Sequence, residues 1–108
     1  MPREDRRIIF SEEELYHALY AHCRRADERR PPAGNITSVR FTDDFHENIE
    51  VRIENHVENE MREMLFTKAF VAAALIMYCR GVGIPIPKSA SKSIDINKHG
   101  HILLRALM

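Results

Sequence analysis

The feature that most constrains the fold is a match of the chain with itself at a shift of 56 residues. Residues 10–24 align with residues 66–80 without a gap, and five of the fifteen positions are identical. The identities are Phe10/Phe66, Ala18/Ala74, Leu19/Leu75, Cys23/Cys79 and Arg24/Arg80. Ser11 aligns with Thr67, and both residue types are good helix caps. Because duplicated segments share one structure, the match predicts two similar units in the chain.

Local patterns define the elements of the first unit. Ser11 and Glu14 have the spacing of a capping box, in which each side chain satisfies a free amide at the start of a helix. Apolar residues then recur at helical spacing, which predicts a helix over residues 12–27. A proline-containing loop follows at 31–34. Short apolar runs and the alternation at odd positions predict strands over 8–10, 36–41 and 49–57.

The second unit contains one ambiguous segment, residues 60–66, which fits a helix or a strand. The repeat favours a strand over 61–66, because Thr67 then caps a helix as Ser11 does. Residues 69–77 are all apolar or small, which predicts a central buried helix. Gly81 suits a left-handed C-terminal cap. An extended linker over 82–87 and a hairpin with strands over 93–96 and 101–107 complete the unit.

These patterns predict an α+β fold with two helices packed on about six mostly antiparallel strands. The architecture is a tandem strand–helix–hairpin repeat with units 8–57 and 61–108. A length of 108 residues fits a single domain, residues 1–108. The order of the strands does not follow from the patterns.

Charge is balanced overall but unevenly distributed. Residues 43–63 contain eight acidic residues and two arginines, a net charge of −6, whereas residues 64–108 carry a net charge of +5. A chain that binds nucleic acid with its whole surface is usually basic, so we do not expect nucleic acid as the main partner. Two interpretations stay open: the segments lie beside each other after folding, or they meet a charged partner.

The predicted location is the cytoplasm. The N-terminal residues lack the apolar region of a signal peptide. The longest apolar run, residues 69–79, is about half the length of a membrane span, so no membrane association is expected. Small secreted domains use more cysteines than Cys23 and Cys79.

No pattern in the chain predicts catalysis. The six histidines lack the paired spacing of zinc ligands, so we expect no metal site. Cys23 and Cys79 fall near helix C-termini, where the helix dipole disfavours a thiolate, and are predicted to be buried core residues. Glycine-rich phosphate loops and nucleophile elbows are absent from the sequence. We therefore expect no enzyme, no catalytic residue and no cofactor.

The most suggestive stretch is a basic, hydroxyl-rich loop after the second helix. Its lysines, hydroxyls and amides have the chemistry that holds a phosphate, and the loop after the first helix is basic as well. The candidate anion-binding residues are Lys88, Ser89, Ser91, Lys92, Ser93, Arg29 and Arg30. The alternative is that both loops are solvated basic loops without a ligand.

The leading hypothesis is a non-catalytic interaction or regulatory domain that self-associates as a homo-oligomer, most simply a dimer. It rests on the second helix, whose apolar surface exceeds what one side of a two-layer domain covers. The alternative is a weak nucleic-acid or anion binder that uses the basic loops. The third hypothesis is an enzyme with an unidentified site.

Overall fold

The order of secondary-structure elements repeats along the chain as strand, helix, strand, strand. A computed structural model describes residues 4–108. The elements are β1 (Asp5–Ile9), α1 (Glu12–Arg25), β2 (Asn35–Phe41), β3 (Asn48–Asn55), β4 (Glu60–Thr67), α2 (Lys68–Val82), β5 (Ser91–Ile96) and β6 (Ile102–Leu107). The predicted α+β fold with two helices and six strands is confirmed, and residues 60–66 form a strand. The duplication itself stays a prediction.

The six strands form two antiparallel sheets, ordered β1-β6-β5 and β2-β3-β4. Each sheet contains the hairpin of one unit and the first strand of the other. β1 pairs with β6 of the second unit, and β4 pairs with β3 of the first. β2 and β5 approach each other without forming a ladder, so β1 and β4 are the outer edges of the pair of sheets.

Both helices begin at the expected caps. The Ser11 hydroxyl accepts a hydrogen bond from the Glu14 amide, and the Glu14 carboxylate accepts one from the Ser11 amide. The Thr67 hydroxyl accepts a hydrogen bond from the Phe70 amide. The predicted cap at Gly81 is wrong, because α2 continues to Val82 and ends at Gly83 with φ 81°. Within residues 4–108, no helix has the length and apolarity needed to cross a membrane.

The core lies between the helices and one face of each sheet. Alternate residues of the central strands are fully buried, whereas their neighbours point outward. The central strands supply Ile49, Val51, Ile53, Ile102, Leu104 and Ala106, and the helices supply Leu15, Leu19, Val71 and Leu75. α1 and α2 also contact each other. Each large aliphatic side chain buried in this way stabilises the fold by roughly 1.5–3 kcal/mol.

One side of α2 is open to solvent. Val71 and Leu75 are fully buried, but Ala69 is exposed and Met77 is 37% exposed. The burial predicted for α2 therefore holds for its inner side, whereas its outer side is not covered within residues 4–108. The sheets and α1 contact α2 only on its inner side, and the small apolar residues of its outer side remain uncovered.

Candidate functional site

The outer edge of β4 combines exposed apolar side chains with a strand that is paired on one side only. Among residues 4–108, β3 is the only strand that pairs with β4, and six of the eight β4 residues are exposed. Met61 is 50% exposed and Leu65 is 64% exposed. Exposed hydrophobic edge strands template pairing with another strand, and most folded proteins protect them. β4 is therefore a candidate interaction surface.

The backbone of β4 presents free hydrogen-bonding groups along this edge. The Lys68 amide donates to the Glu47 carbonyl at 2.7 Å, which places this residue pair at a hydrogen-bonded position of the β3–β4 register. Hydrogen-bonded and non-bonded pairs alternate in antiparallel ladders. Met61, Glu63 and Leu65 therefore direct their amides and carbonyls away from β3. None of these groups has a hydrogen-bond partner within residues 4–108.

A groove runs beside this edge on the inner face of the sheet. It comprises two adjacent cavities of about 280 and 340 Å³ that share Arg29, Met64 and Leu65 in their walls. Phe70 contributes to the first cavity and Pro32 to the second. The loop after α1 thus forms the far wall of the groove, opposite the free backbone of β4.

The other outer edge, β1, is protected by charge. It has five residues, and the first three of them are Asp5, Arg6 and Arg7. The Arg6 guanidinium donates a hydrogen bond to the Pro85 carbonyl at 2.8 Å, and Asp5 forms an ion pair with Arg105. Charged edge residues disfavour pairing with another chain. Of the two outer edges, β4 is the better suited to docking.

A second candidate is a basic cleft of about 500 Å³ at the N-terminus of α2. Its walls include two lysines, Lys68 and Lys92, together with His46, Ser93 and one acidic residue, Glu47. The first turn of α2 has no acidic residue. The corresponding cavity beside the N-terminus of α1, about 510 Å³, instead has two acidic residues in its walls, Glu12 and Glu13. Positive side chains at a helix N-terminus favour an anion.

The predicted anion-binding residues do not converge on one cavity in the described part of the chain. Lys92 and Ser93 line the basic cleft, but the Lys92 ammonium donates to the carbonyls of Lys88 and Ala90. Arg29 lines the groove beside β4. The remaining candidates, Lys88, Ser89, Ser91 and Arg30, lie outside the basic cleft.

Both cysteines are buried and unpaired. Burial raises the pKa of the Cys23 and Cys79 thiols, which keeps them protonated. His22 packs against Phe70 with ring centroids 4.6 Å apart, and burial lowers the pKa of its imidazole. No group of three or more potential metal-ligating side chains occurs between residues 4 and 108. Cys23, Cys79 and His22 therefore have the environment of side chains that pack in the protein interior.

Sequence patterns named Lys92, Ser93 and Arg29 but missed Met61, Leu65 and Lys68. Met61 and Leu65 follow the alternation of the strand that contains Phe66, and the repeat aligns Leu65 with Ile9. Lys68 directly follows the cap of α2 at the position where α1 has Glu12. The alternation and the position of Lys68 are both visible in the sequence. They do not show a free edge or a cleft, because these depend on which strands pair.

Comparison with models of known protein families, with curated proteins and with solved structures finds no significant match. The two surfaces must therefore be judged on their own chemistry. The β4 edge offers unpaired backbone groups and apolar side chains, which suit an extended polypeptide. The basic cleft offers two lysines and a helix N-terminus, which suit a small anion.

Proposed function

We propose that this protein is a small, non-catalytic interaction domain that self-associates through the open edge of β4. The observation that carries the proposal is the exposure of Met61 and Leu65 on a strand with unpaired outer backbone groups. Strand addition satisfies these groups, and cross-strand neighbours on the added strand cover part of the Met61 and Leu65 side chains. Because a second copy carries the same edge, two copies can pair as a symmetric dimer.

Intramolecular ion pairs favour self-association through the β4 edge over self-association through oppositely charged segments. Glu50 pairs with Arg40 and Glu63 pairs with Arg52, both at 2.9 Å, so part of the acidic charge is already neutralised within the sheet. Contacts between the acidic segment of one copy and the basic segment of another therefore stabilise a dimer less. The open side of α2 is the competing apolar surface, and substitutions distinguish the two.

Light scattering at increasing protein concentration tests the proposal. We expect the mass to rise above the 12.6 kDa of one chain. Leu65→Lys, which places a charge on the edge, keeps the protein monomeric at concentrations where the wild type associates. Val82→Lys is the matched control, because Val82 is 54% exposed and lies at the end of α2. Exposed substitutions of this kind change stability by about 0.5 kcal/mol or less.

The outcomes separate the surfaces. Met77→Lys introduces a charge on the open side of α2, and loss of association in this variant alone would assign the contact to the helix. A mass of 12.6 kDa at every concentration, independent of salt, would contradict self-association.

We propose that the protein functions in the cytoplasm. Cys23 and Cys79 are free thiols, which persist in a reducing compartment.

The basic cleft supports anion binding as a second candidate function. Lys68, Lys92 and His46 line one cavity whose helix N-terminus lacks acidic residues. Retention on a heparin column at low salt tests it. Lys68→Ala lowers the salt concentration of elution, whereas Lys88→Ala, outside the cleft, has a smaller effect. Equal effects would favour a diffuse basic surface, and no retention of the wild type would eliminate this function.

A further inference from the structure

We infer that the partner of β4 is β4 of a second copy, paired antiparallel about a twofold axis at Met64. This inference rests on the proposed self-association and specifies its geometry. The two three-stranded sheets that contain β4 would then join into one six-stranded sheet across the dimer. Such pairing makes the interface isologous and closed, so it ends at two copies.

The backbone restricts how two such edges pair. Outward-directed groups occur at Met61, Glu63 and Leu65, and these must face outward-directed groups of the second strand. Within β4, Glu60–Thr67, a twofold at Glu63 pairs residues 60–66, and a twofold at Met64 pairs residues 61–67. A twofold axis at any other residue of β4 that brings outward-directed groups together pairs fewer residues.

Side-chain pairing selects between the two long registers. An axis at Glu63 places two carboxylates directly opposite each other, which destabilises a cross-strand pair. An axis at Met64 places the two Met64 side chains opposite each other, and Glu63 faces Leu65 of the second copy. Arg62 faces Phe66 of the second copy, an uncharged residue whose ring is buried and stacks on Phe70. This ladder places no like charges directly opposite each other, and the two Glu63 side chains are only diagonal neighbours.

The surroundings of the edge fit this register. Arg62, Met64 and Phe66 project from the inner face of the sheet, since their β3 partners include the buried Val51 and Ile49. The groove between β4 and the loop after α1 lies on the same face. Arg62 and Met64, the inner side chains of the second strand that are not buried in their own core, therefore face the groove. A single added ladder is a small interface, so the dimer dissociates on dilution.

Disulfide trapping identifies the register. In a non-hydrogen-bonded antiparallel pair the Cα atoms lie about 4.5 Å apart, which is within the range of a disulfide. Met64→Cys is therefore expected to give a covalent dimer under mild oxidation with copper phenanthroline. Leu65→Cys and Glu63→Cys place their thiols on diagonal positions, roughly 7–8 Å apart, and crosslink at least about tenfold more slowly. The wild type, whose cysteines are both buried, controls for background crosslinking.

Mass and crosslinking together distinguish a wrong register from an absence of self-association. Reversible association of the wild type with selective trapping of Met64→Cys supports the inference. Association with preferential trapping of Glu63→Cys or Leu65→Cys, or with none of the three, overturns the inference and leaves self-association standing. A monomeric wild type at all concentrations overturns both.

Glu63→Pro supplies a second measurement that does not depend on oxidation. It removes an outward amide that has no partner in β3, so the monomer retains its β3–β4 hydrogen bonds. We expect the dissociation constant of the dimer to rise at least about tenfold. Unchanged association, with circular dichroism confirming the fold of the variant, would contradict strand pairing at this edge.

Discussion

At the scale of single residues, the start of α1 is stabilised by two reciprocal hydrogen bonds. The Ser11 amide donates to the Glu14 carboxylate at 2.9 Å, and the Glu14 amide donates to the Ser11 hydroxyl at 3.1 Å. The bond from the Ser11 amide holds the pKa of Glu14 below its usual range, because it favours the ionised carboxylate. Glu12 and Glu13 add negative charge to the same turn, which favours the positive end of the helix dipole.

This box makes stability depend on pH. A lowered native pKa contributes stability that is fully present above the unfolded-chain value of about 4.3 and is lost as the pH falls through the native value. We expect Glu14→Gln to lower the free energy of unfolding by roughly 0.5–1 kcal/mol at pH 7. The difference should shrink in acid, as measured by urea denaturation at several pH values.

Glu12→Gln is the control, because it removes a charge from the same turn without touching the capping box. An equal and equally pH-dependent loss in this variant would assign the effect to the helix dipole.

At the scale of elements, two glycines occupy opposite environments. Gly34 precedes β2 with φ 150°, and a Cβ there would lie 2.7 Å from the Glu54 carbonyl oxygen and 3.0 Å from Ile53 Cγ2. Backbone of this kind is essentially restricted to glycine. Gly81 lies inside α2, and a Cβ there would meet no atom within 4 Å. One glycine is required by close packing, whereas the other weakens a helix.

Alanine substitutions are expected to act in opposite directions. Gly34→Ala destabilises the protein by about 3 kcal/mol, because strain and the contact with β3 add. Gly81→Ala stabilises it by about 0.5–1 kcal/mol, because alanine is the better helix former. Thermal unfolding checks both. A destabilised Gly81→Ala would show that the end of α2 needs a flexible residue.

Sequence patterns predicted the helices and strands well because those patterns depend on residues that are close together in the chain. Ser11 and Thr67 cap helices through neighbouring amides, and the alternation of β3 reflects one buried face. The boundary error at Gly81 arose because two glycines compete for the end of α2, and only Gly83 adopts the left-handed conformation. The residue at which a helix begins or ends depends on residues within about one turn of it.

The candidate edge could not be predicted in the same way. Whether Leu65 lies on a free edge depends on which strand pairs with β4, and side-chain alternation is the same in edge and central strands. The open side of α2 has a similar origin. Its apolar composition indicates burial, but the number of covering layers is a property of the assembled sheets.

At the scale of the whole molecule, the exchange of first strands makes each half dependent on the other. Residues 5–55 lack the strand that completes their own sheet, and residues 60–107 lack one as well. The ladder between β1 and β6 joins positions near opposite ends of the chain, such as Ile8 and Leu104. A single cooperative unfolding transition is expected, because neither sheet is complete without both halves.

Cutting the chain in the turn between β3 and β4 tests this dependence. Fragments 1–57 and 58–108 should each be largely unfolded by circular dichroism, and an equimolar mixture should regain secondary structure and cooperative unfolding. Each fragment alone exposes a strand edge and a helix face that the other covers. Independent folding of either fragment would contradict a single domain and favour two separable units.

The exchange also sets an order of events during synthesis on the ribosome. β2, β3 and β4 are all contained in residues 35–67, so their sheet can pair while the remaining chain is still being made. β1 emerges first, yet its partner β6 emerges last. β1 carries the exposed charged residues Asp5, Arg6 and Arg7, a composition that disfavours pairing with other chains. Of the six strands described, the first in chain order is thus the last to gain its partner.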